Sequence, residues 1–152
     1  MERKKLAIIF LIVLMVAYGI NASLPPASEH TYITKVIDGD TIVIAGGQSV
    51  RLLNIDTRER GQNCYKEAKQ RMEELVLLKN VTLERDKEDK DRYGRILRYI
   101  YVDGEMVNLQ MVREGLAVVY IIPPNGNYKD QFDAAESAAH EENTGCIWTT
   151  QP

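Results

Sequence analysis

The spacing of apolar residues divides most of the chain into short strands and helices. Runs rich in β-branched and aromatic residues, each bounded by glycine, proline, asparagine or aspartate, predict five strands. The predicted strands are residues 32–37, 41–44, 50–55, 81–83 and 96–102. The sequences Asp38-Gly39-Asp40 and Gly46-Gly47 lie between the first three strands and predict tight turns, as in consecutive hairpins.

Helical spacing appears in three other places. In residues 64–78 the apolar positions recur every three or four residues, which places them on one face of a helix. Asn108 fits the N-cap of a short helix that Gly115 ends, and residues 128–139 predict a last helix after an extended segment at 116–122. Short strands with helices inserted and appended predict an α+β domain, built as a small β-barrel with helices packed against it.

The N-terminal segment differs from the rest of the chain. Three cations within the first five residues precede an apolar run from Leu6 to Ile20, and small residues follow. This order is typical of a secretory signal, and the run is shorter than the roughly 20 residues of a bilayer span. We therefore expect a signal peptide or membrane anchor at 1–23, a linker at 24–30 and a folded domain at 31–150. The expected location is outside the cell, either secreted or anchored on the outer face of the membrane if the leader is not cleaved.

Charge limits the kinds of partner that the chain can bind. Its composition is that of a globular protein, but its formal net charge is −3. An acidic chain has little general affinity for phosphate backbones. Any role with nucleic acid must therefore depend on a local cluster of cations.

The two cysteines, Cys64 and Cys146, are an even pair in a chain with an export signal. Outside the cell such a pair usually forms a disulfide, and the alternative is two buried free thiols. Together with His30 and His140 they do not have the spacing of a zinc site.

Three groups of polar residues lie beside or within the predicted strands. They are residues 38–41, Arg51 with residues 56–59, and residues 92–95. Hard divalent cations prefer carboxylate ligands, which Asp40 and Asp56 could supply. Glu59 could orient or deprotonate a water. Arg51 and Arg95 could each donate two hydrogen bonds to a phosphate. Each group also has an ordinary alternative. Residues 38–40 could be a plain turn, and Arg51 could point outward from its strand. Asp56 and Glu59 could be acids at a helix cap, and Arg95 could belong to a solvated run of charge.

Taken together and in order, these groups resemble the staphylococcal-type thermonuclease family. The resemblance extends from Tyr32 to Trp148, and its motifs are residues 36–41, 51–53, 55–57 with Glu59, 93–95, 99–101, 103–104, 106–108, 112–113, 115–117 and 147–148. It implies a five-stranded oligonucleotide/oligosaccharide-binding (OB) barrel with three helices. It also implies an endonuclease that hydrolyses DNA and RNA and leaves 3'-phosphate ends.

The resemblance assigns a role to each polar residue. The catalytic residues would be Arg51 and Arg95, which bind the scissile phosphate, and Glu59, which activates water. The calcium ligands would be the carboxylates of Asp40 and Asp56 and the carbonyl of Thr57, with Asp38 as a supporting acid. The residues near the terminal phosphate of the substrate would be Arg92, Tyr93 and Tyr120. We also expect DNA and RNA as substrates, a monomer with no obligate protein partner, and contact with a membrane only through the N-terminal segment if it is not cleaved.

The chain departs from the family pattern in four ways, one of which is that the cysteine pair is not a family-wide feature. Arg58 stands where the family usually has proline, residues 60–63 form a shorter segment than in some members, and the best-known members are basic. Fewer phosphate contacts predict weaker affinity for substrate at physiological salt. Two alternatives stay open: a non-catalytic nucleic-acid-binding module, and an exported barrel that binds peptide or sugar.

Overall fold

The computed structural model describes residues 28–149, so the predicted leader at 1–23 lies outside the described part of the chain. The strands are β1 Ser28–Val36, β2 Thr41–Ile44, β3 Ser49–Leu52, β4 Ile55–Asp56, β5 Asn80–Glu84, β6 Ile96–Val102, β7 Glu105–Met106 and β8 Val118–Val119. The helices are α1 Tyr65–Val76, α2 Val107–Arg113, α3 Lys129–Glu141 and α4 Gly145–Trp148. Between residues 28 and 149, no helix is long and apolar enough to cross a membrane.

Five strands close into a barrel. Antiparallel pairing joins them in the order β3-β2-β1-β5-β6, and parallel pairing of β3 with β6 completes the circle. Strand β7 extends the edge at β6, and β4 pairs with β8 in a separate small sheet. The predicted α+β class and the OB-type barrel with helices are therefore confirmed.

The core fills the barrel and continues beneath the helices. Inward-facing strand residues are fully buried, among them Ile33, Ile42, Leu52, Leu83 and Ile100. Helix α1 buries Ala68, Met72 and Val76, three of the five positions that the helical spacing predicts, and the other two, Tyr65 and Leu75, are half-buried. Burying a side chain of this kind contributes roughly 1.5–3 kcal/mol, so the barrel and the helices stabilise each other mainly through this shared core.

The third predicted strand is too long in the sequence-based assignment. It ends at Leu52, and extended structure resumes only at β4. The cause is Asn54, which has a φ of 62° in the left-handed region and is fully buried. Asparagine adopts this conformation more readily than most residues, so a continuous apolar run hides a bend in the chain.

The predicted N-cap at Asn108 is wrong. Helix α2 begins at Val107, and Asn108 is a fully buried helix residue. Its Nδ2 donates to the carbonyls of Leu53 (2.9 Å) and Arg98 (3.2 Å), and its Oδ1 accepts from the amide of Ile100 (2.9 Å). The side chain thus satisfies backbone groups of two strand segments where regular pairing stops.

The chain ends of the domain also differ from the predicted boundaries. Residues 28–30 were assigned to the linker, but they are strand residues of β1 and pair with β5 up to Glu84. The reason is that the backbone of residues 28–30 pairs with residues 82–84 of β5, and Nδ1 of His30 also lies 3.0 Å from Oγ1 of Thr82. A short fourth helix, α4, follows the three predicted helices, and the predicted extended segment at 116–122 contains only β8.

Candidate active site

All three polar groups of the sequence meet in one open cleft of about 940 Å³, which we name the polar cleft. The predicted site residues that line it are Asp38, Asp40, Arg51, Asp56, Glu59, Arg92, Tyr93, Arg95 and Tyr120. Its other walls are Thr41, Glu88, Lys90, Asp91 and Ile122. Of the predicted residues only Thr57 is absent from the walls, and it lies directly behind Asp40.

Asp40 joins the turn between β1 and β2 to the segment after β4. The amide of Asp40 donates to Oδ1 of Asp38 (3.1 Å), which shapes the turn. The buried carboxylate of Asp40 accepts from the amide (2.9 Å) and the hydroxyl (3.1 Å) of Thr57 through Oδ2, and from the hydroxyl of Thr41 (3.0 Å) through Oδ1. Distant parts of the sequence are therefore fixed at one carboxylate.

Gly39 allows this close approach. A Cβ atom at Gly39 would lie 2.7 Å from Cγ2 of Thr57 and 2.9 Å from Cβ of Ala68 in α1. Both distances are shorter than van der Waals contact between carbon atoms. The space between Asp38 and Asp40 thus excludes any side chain.

Arg51 lies between two carboxylates. It is only 5% exposed, its Nε lies 3.3 Å from Oδ1 of Asp40, and its Nη2 lies 2.9 Å from Oδ1 of Asp56. Its Nη1 donates to the carbonyls of Leu52 (2.6 Å) and Ile55 (2.7 Å). The alternative of an outward-facing strand residue is therefore wrong, because every nitrogen of the guanidinium has a partner inside the protein.

Negative charge is crowded in this part of the cleft. Burial raises the pKa of Asp56, and the neighbouring Asp40 carboxylate raises it further despite the guanidinium of Arg51. Burial and the same Asp40 carboxylate also raise the pKa of Asp38. The buried cation of this cluster, Arg51, therefore only partly neutralises three neighbouring carboxylates. The remaining negative charge favours the binding of a second cation.

Arg95 is held by Asp91. Its Nε donates to Oδ2 of Asp91 (2.7 Å), its amide donates to Oδ1 (3.0 Å), and its Nη1 lies 3.5 Å from the hydroxyl of Thr41. Burial acts to raise the pKa of Asp91, but the hydrogen bonds from Arg95 and from the amide of Tyr93 outweigh it and lower the pKa. The alternative that Arg95 belongs to a solvated run of charge is therefore wrong.

Tyrosines and a further arginine line the outer part of the cleft. Tyr93 is 68% exposed and Tyr120 is 56% exposed. The guanidinium carbons of Arg92 and Arg95 lie 4.8 Å and 5.5 Å from the ring centre of Tyr93, and Arg92 donates to its hydroxyl. Exposed aromatic rings with stacked cations are well suited to bind nucleotides.

Glu59 belongs to an exposed loop, residues 58–63, that is fixed at both ends. At the first end Thr57 binds Asp40, and at the other end the buried Cys64 forms a disulfide with Cys146. The alternative of two free thiols is therefore wrong. Gln62 closes the loop through its Oε1, which accepts from the amide of Glu59, and within residues 28–149 the Glu59 carboxylate accepts no hydrogen bond.

Sequence reasoning missed a polar network that joins two loops. Oδ2 of Asp86 accepts from the amides of Gly126 (2.8 Å) and Asn127 (2.9 Å), and Oδ1 of Asn125 accepts from the amides of Lys87 (3.0 Å) and Glu88 (2.8 Å). The network ties the segment that carries Asp91 and Arg95 to the loop before α3. Its partners are distant in sequence, so no local signal reveals it.

The predicted calcium ligands form a small set of oxygen donors. Within residues 28–149 no group of three or more histidine, cysteine, aspartate or glutamate side chains forms a metal centre. The proposed set consists instead of two carboxylates and a carbonyl. The side chain of Asp56 is 51% exposed, and the Thr57 carbonyl accepts no hydrogen bond from residues 28–149. Carboxylate and carbonyl oxygens suit a hard divalent cation, with water or substrate as the other ligands.

Comparison with known proteins agrees with this arrangement. The profile of the family described as "Staphylococcal nuclease homologue" matches residues 49–150. The chain is 36% identical to the thermonuclease of Staphylococcus hyicus over 139 residues, which cover 85% of this chain and 82% of that protein. It is 41% identical to endonuclease YncB of Bacillus subtilis (strain 168) over 128 residues, 77% of this chain and 60% of that protein. The thermonuclease of Staphylococcus intermedius is 36% identical over 129 residues, 79% of this chain and 76% of that protein.

The fold, the polar cleft and these relatives define a nuclease-type hydrolase on an OB-type barrel. The chain belongs to the staphylococcal nuclease family.

Proposed function

We propose that this protein is a calcium-dependent endonuclease that cleaves DNA and RNA and leaves 3'-phosphate ends. The observation that supports it most is the convergence of Arg51, Glu59 and Arg95 with Asp40 and Asp56 on one cleft. Relatives that cover most of the chain are named thermonucleases, which makes polynucleotides the natural substrate class.

The two arginines of the cleft would bind the scissile phosphate. A guanidinium can donate two parallel hydrogen bonds to phosphate oxygens and can stabilise the charge that develops during attack. Two carbonyls hold Arg51 in place through its Nη1. Its Nε and Nη2 contact carboxylates in this structure, and these two nitrogens would donate to the phosphate. Arg95 is positioned by Asp91 at Nε, and its Nη1 has one further long contact with the hydroxyl of Thr41 (3.5 Å), so Nη2 and the second N–H of Nη1 can turn towards substrate.

Glu59 would be the general base. Its exposed carboxylate would take a proton from the water that attacks phosphorus, as the new P–O bond forms and the bond from phosphorus to the 5' oxygen breaks. The phosphate then stays on the 3' side, and the 5' oxygen leaves as an alcohol after protonation. A positioned base typically contributes about 10²–10⁴-fold in rate.

Asp40, Asp56 and the Thr57 carbonyl would hold the calcium ion, with Asp38 shaping the turn that presents Asp40. When bound, calcium would polarise a phosphoryl oxygen as a Lewis acid.

We further propose that the protein acts outside the cell as a monomer. The charged start and apolar run at 1–23 support export, and so does the Cys64–Cys146 disulfide, which persists in an oxidising environment.

The proposed function predicts a specific loss on changing Glu59. Glu59→Gln should lower kcat by at least about 100-fold on single-stranded DNA, because the general base is lost, while the melting temperature stays unchanged. Glu105→Gln, which removes an exposed carboxylate on β7, is the matched control. Full activity of Glu59→Gln would remove Glu59 from the mechanism.

Two further measurements test the cofactor and the product. A chelator should stop digestion of DNA and RNA, and calcium should restore it; cutting that continues in chelator would contradict the calcium assignment. End-group analysis should find 3'-phosphates, and 5'-phosphates would contradict the proposed bond cleavage.

A further inference from the structure

Two surface depressions lie beside the Glu59 loop and the first turns of α1. A depression of about 190 Å³ begins at Arg58, next to Glu59, and has Cys146 and Ile147 as its far wall. It shares Gln62, Asn63 and Cys64 with a second depression of about 640 Å³ that continues past Lys66. We name the two depressions together the α1 groove. Its lining residue Arg58 directly precedes Glu59, the proposed general base, in the sequence.

The α1 groove is cationic although the chain is acidic. Arg58, Arg60, Lys66 and Lys69 line it, and Glu67 is its only carboxylate. Within residues 28–149 the first three of these cations form no ion pair, whereas Lys69 lies 4.0 Å from Glu73. Since the formal net charge of the whole chain is −3, this is a local surplus of positive charge beside the site.

The groove also holds groups that recognise more than charge. Tyr65 is a half-buried aromatic residue in its wall. The backbone amides of Lys66 and Glu67 find no acceptor within the described residues, because they belong to the first turn of α1. Cations that follow a phosphate backbone, together with an aromatic ring on which a base can stack, are typical of surfaces that bind single-stranded nucleic acid.

The depression next to Gly94, which also adjoins the polar cleft, has an aromatic ring but fewer cations. It is lined by Gly46, Gly47, Gln48, Ser49 and Gly94, with Tyr93 and Arg95 shared with the cleft. Arg95 is its only cation, so a polyanion that leaves the cleft meets more positive charge along α1.

We infer that the α1 groove is a subsite that binds the single-stranded polynucleotide on one side of the scissile phosphate. The inference rests on the proposed nuclease function and adds to it: affinity in this acidic protein depends on strand length, because a short substrate fills only the polar cleft. None of Arg60, Tyr65 and Lys66 takes part in the chemistry.

The first test compares long and short substrates. The double variant Arg60→Ala/Lys66→Ala should raise the KM of a 16-nucleotide single strand about tenfold at low salt, because two phosphate contacts are lost. Its kcat/KM for a dinucleotide substrate should stay that of the wild type. The matched control is Lys35→Ala/Arg113→Ala, which removes two exposed cations outside the groove and the cleft. An equal loss on both substrates, or no loss on either, would overturn the inference.

The second test measures binding without cleavage. Fluorescence anisotropy of the labelled 16-nucleotide strand, on the Glu59→Gln background in chelator, gives affinity as a function of salt. Removing the two cations should make the slope of log K against log salt shallower by about 1.4, since each contact to a single strand contributes about 0.7. An unchanged slope would overturn the subsite. If the slope changes but the wild type cuts nothing, the proposed nuclease function fails and the subsite stands.

The third test separates nucleic acid from other polyanions. Tyr65→Phe should bind the single strand as the wild type does, and Tyr65→Leu should bind it several-fold more weakly, because stacking on an aromatic ring is lost. Binding of heparin, a polyanion without bases, should be equal in both variants. If the two variants bind the single strand equally, or if heparin distinguishes them, the groove does not recognise bases and the inference is wrong.

Discussion

Both arginines have a role in the proposed chemistry, but only Arg51 also contributes to the stability of the fold. Arg51 is buried with four partners, two carboxylates and two carbonyls, whereas Arg95 is partly exposed and depends on Asp91. Two arginines with the same proposed role should therefore respond differently to substitution.

Replacing each arginine by lysine should reveal this difference. Arg51→Lys should lower both activity and stability, the latter by up to about 3–5 kcal/mol, since it leaves buried groups without partners. Arg95→Lys should lower kcat/KM by at least about tenfold while the free energy of unfolding changes little. Urea denaturation and cleavage assays measure the two effects, and a stable Arg51→Lys protein would show that Asp40 does not need the guanidinium.

Gly39 limits what the turn beside Asp40 can accommodate. Gly39→Ala should destabilise the protein by about 1–3 kcal/mol and weaken calcium-dependent activity, because the new Cβ displaces Thr57 or α1. Adding Thr57→Ser removes the clashing methyl, keeps the hydroxyl for Asp40 and should restore part of both. Gly126→Ala is the control, since its Cβ would meet only Ile121 at 4.0 Å. Equal melting temperatures for wild type and Gly39→Ala would contradict the packing argument.

The disulfide joins two elements that are distant in sequence. It connects the start of α1 to α4 across 82 residues of sequence. Helix α4 is itself seated against the end of α2, where a Cβ at Gly115 would lie 1.8 Å from the carbonyl oxygen of Thr144. The Glu59 loop therefore ends on a fixed point.

Removing the disulfide should affect stability and turnover together. On the chain-entropy view, Cys64→Ser/Cys146→Ser should lose about 4.5 kcal/mol of stability, since a long loop is released in the unfolded chain. Its kcat on a dinucleotide should fall more than its KM rises, because the Glu59 loop loses its anchor. Reduction of the wild type with a dithiol should have the same effect, and unchanged kcat would separate the loop from the disulfide.

An ion pair between α1 and α2 makes stability depend on pH. Arg71 donates to Glu114 through Nε (2.7 Å) and Nη2 (2.8 Å), and these hydrogen bonds lower the pKa of Glu114. A lowered pKa contributes stability above the pKa of the unfolded chain, and this contribution is lost as pH falls through the pKa of the folded protein.

The melting temperature of Glu114→Gln should therefore lie below that of the wild type at neutral pH and approach it in acid. Glu105→Gln, which removes an exposed carboxylate without an ion pair, should follow the wild type at every pH. A difference between wild type and Glu114→Gln that persists in acid would show that the charge of Glu114 is not its cause.

At the scale of the whole molecule, the spacing of apolar residues predicts the helices and strands. Where each one ends depends on contacts with residues distant in sequence. Helix α1 follows from its apolar spacing alone, and the barrel follows from the order of its strands. The buried roles of Asn54 and Asn108 could not be predicted, because each depends on backbone groups far away in sequence. The motifs predicted residues that meet in the polar cleft, whereas the contacts of Asp86, Asp91 and Asn125 were missed, since charge and amide groups in a loop usually indicate solvent exposure.

The parallel pairing of β3 with β6 connects folding to chemistry. Arg51 on β3 pairs with Leu97 on β6, and Arg95 immediately precedes β6. This pairing joins segments that are far apart in sequence, so its formation has a loop-closure cost, and without it Arg51 and Arg95 are not held side by side. Recovery of nuclease activity during refolding would therefore report closure of the barrel. A chain that has its helices and hairpins but lacks the β3–β6 pairing would be inactive.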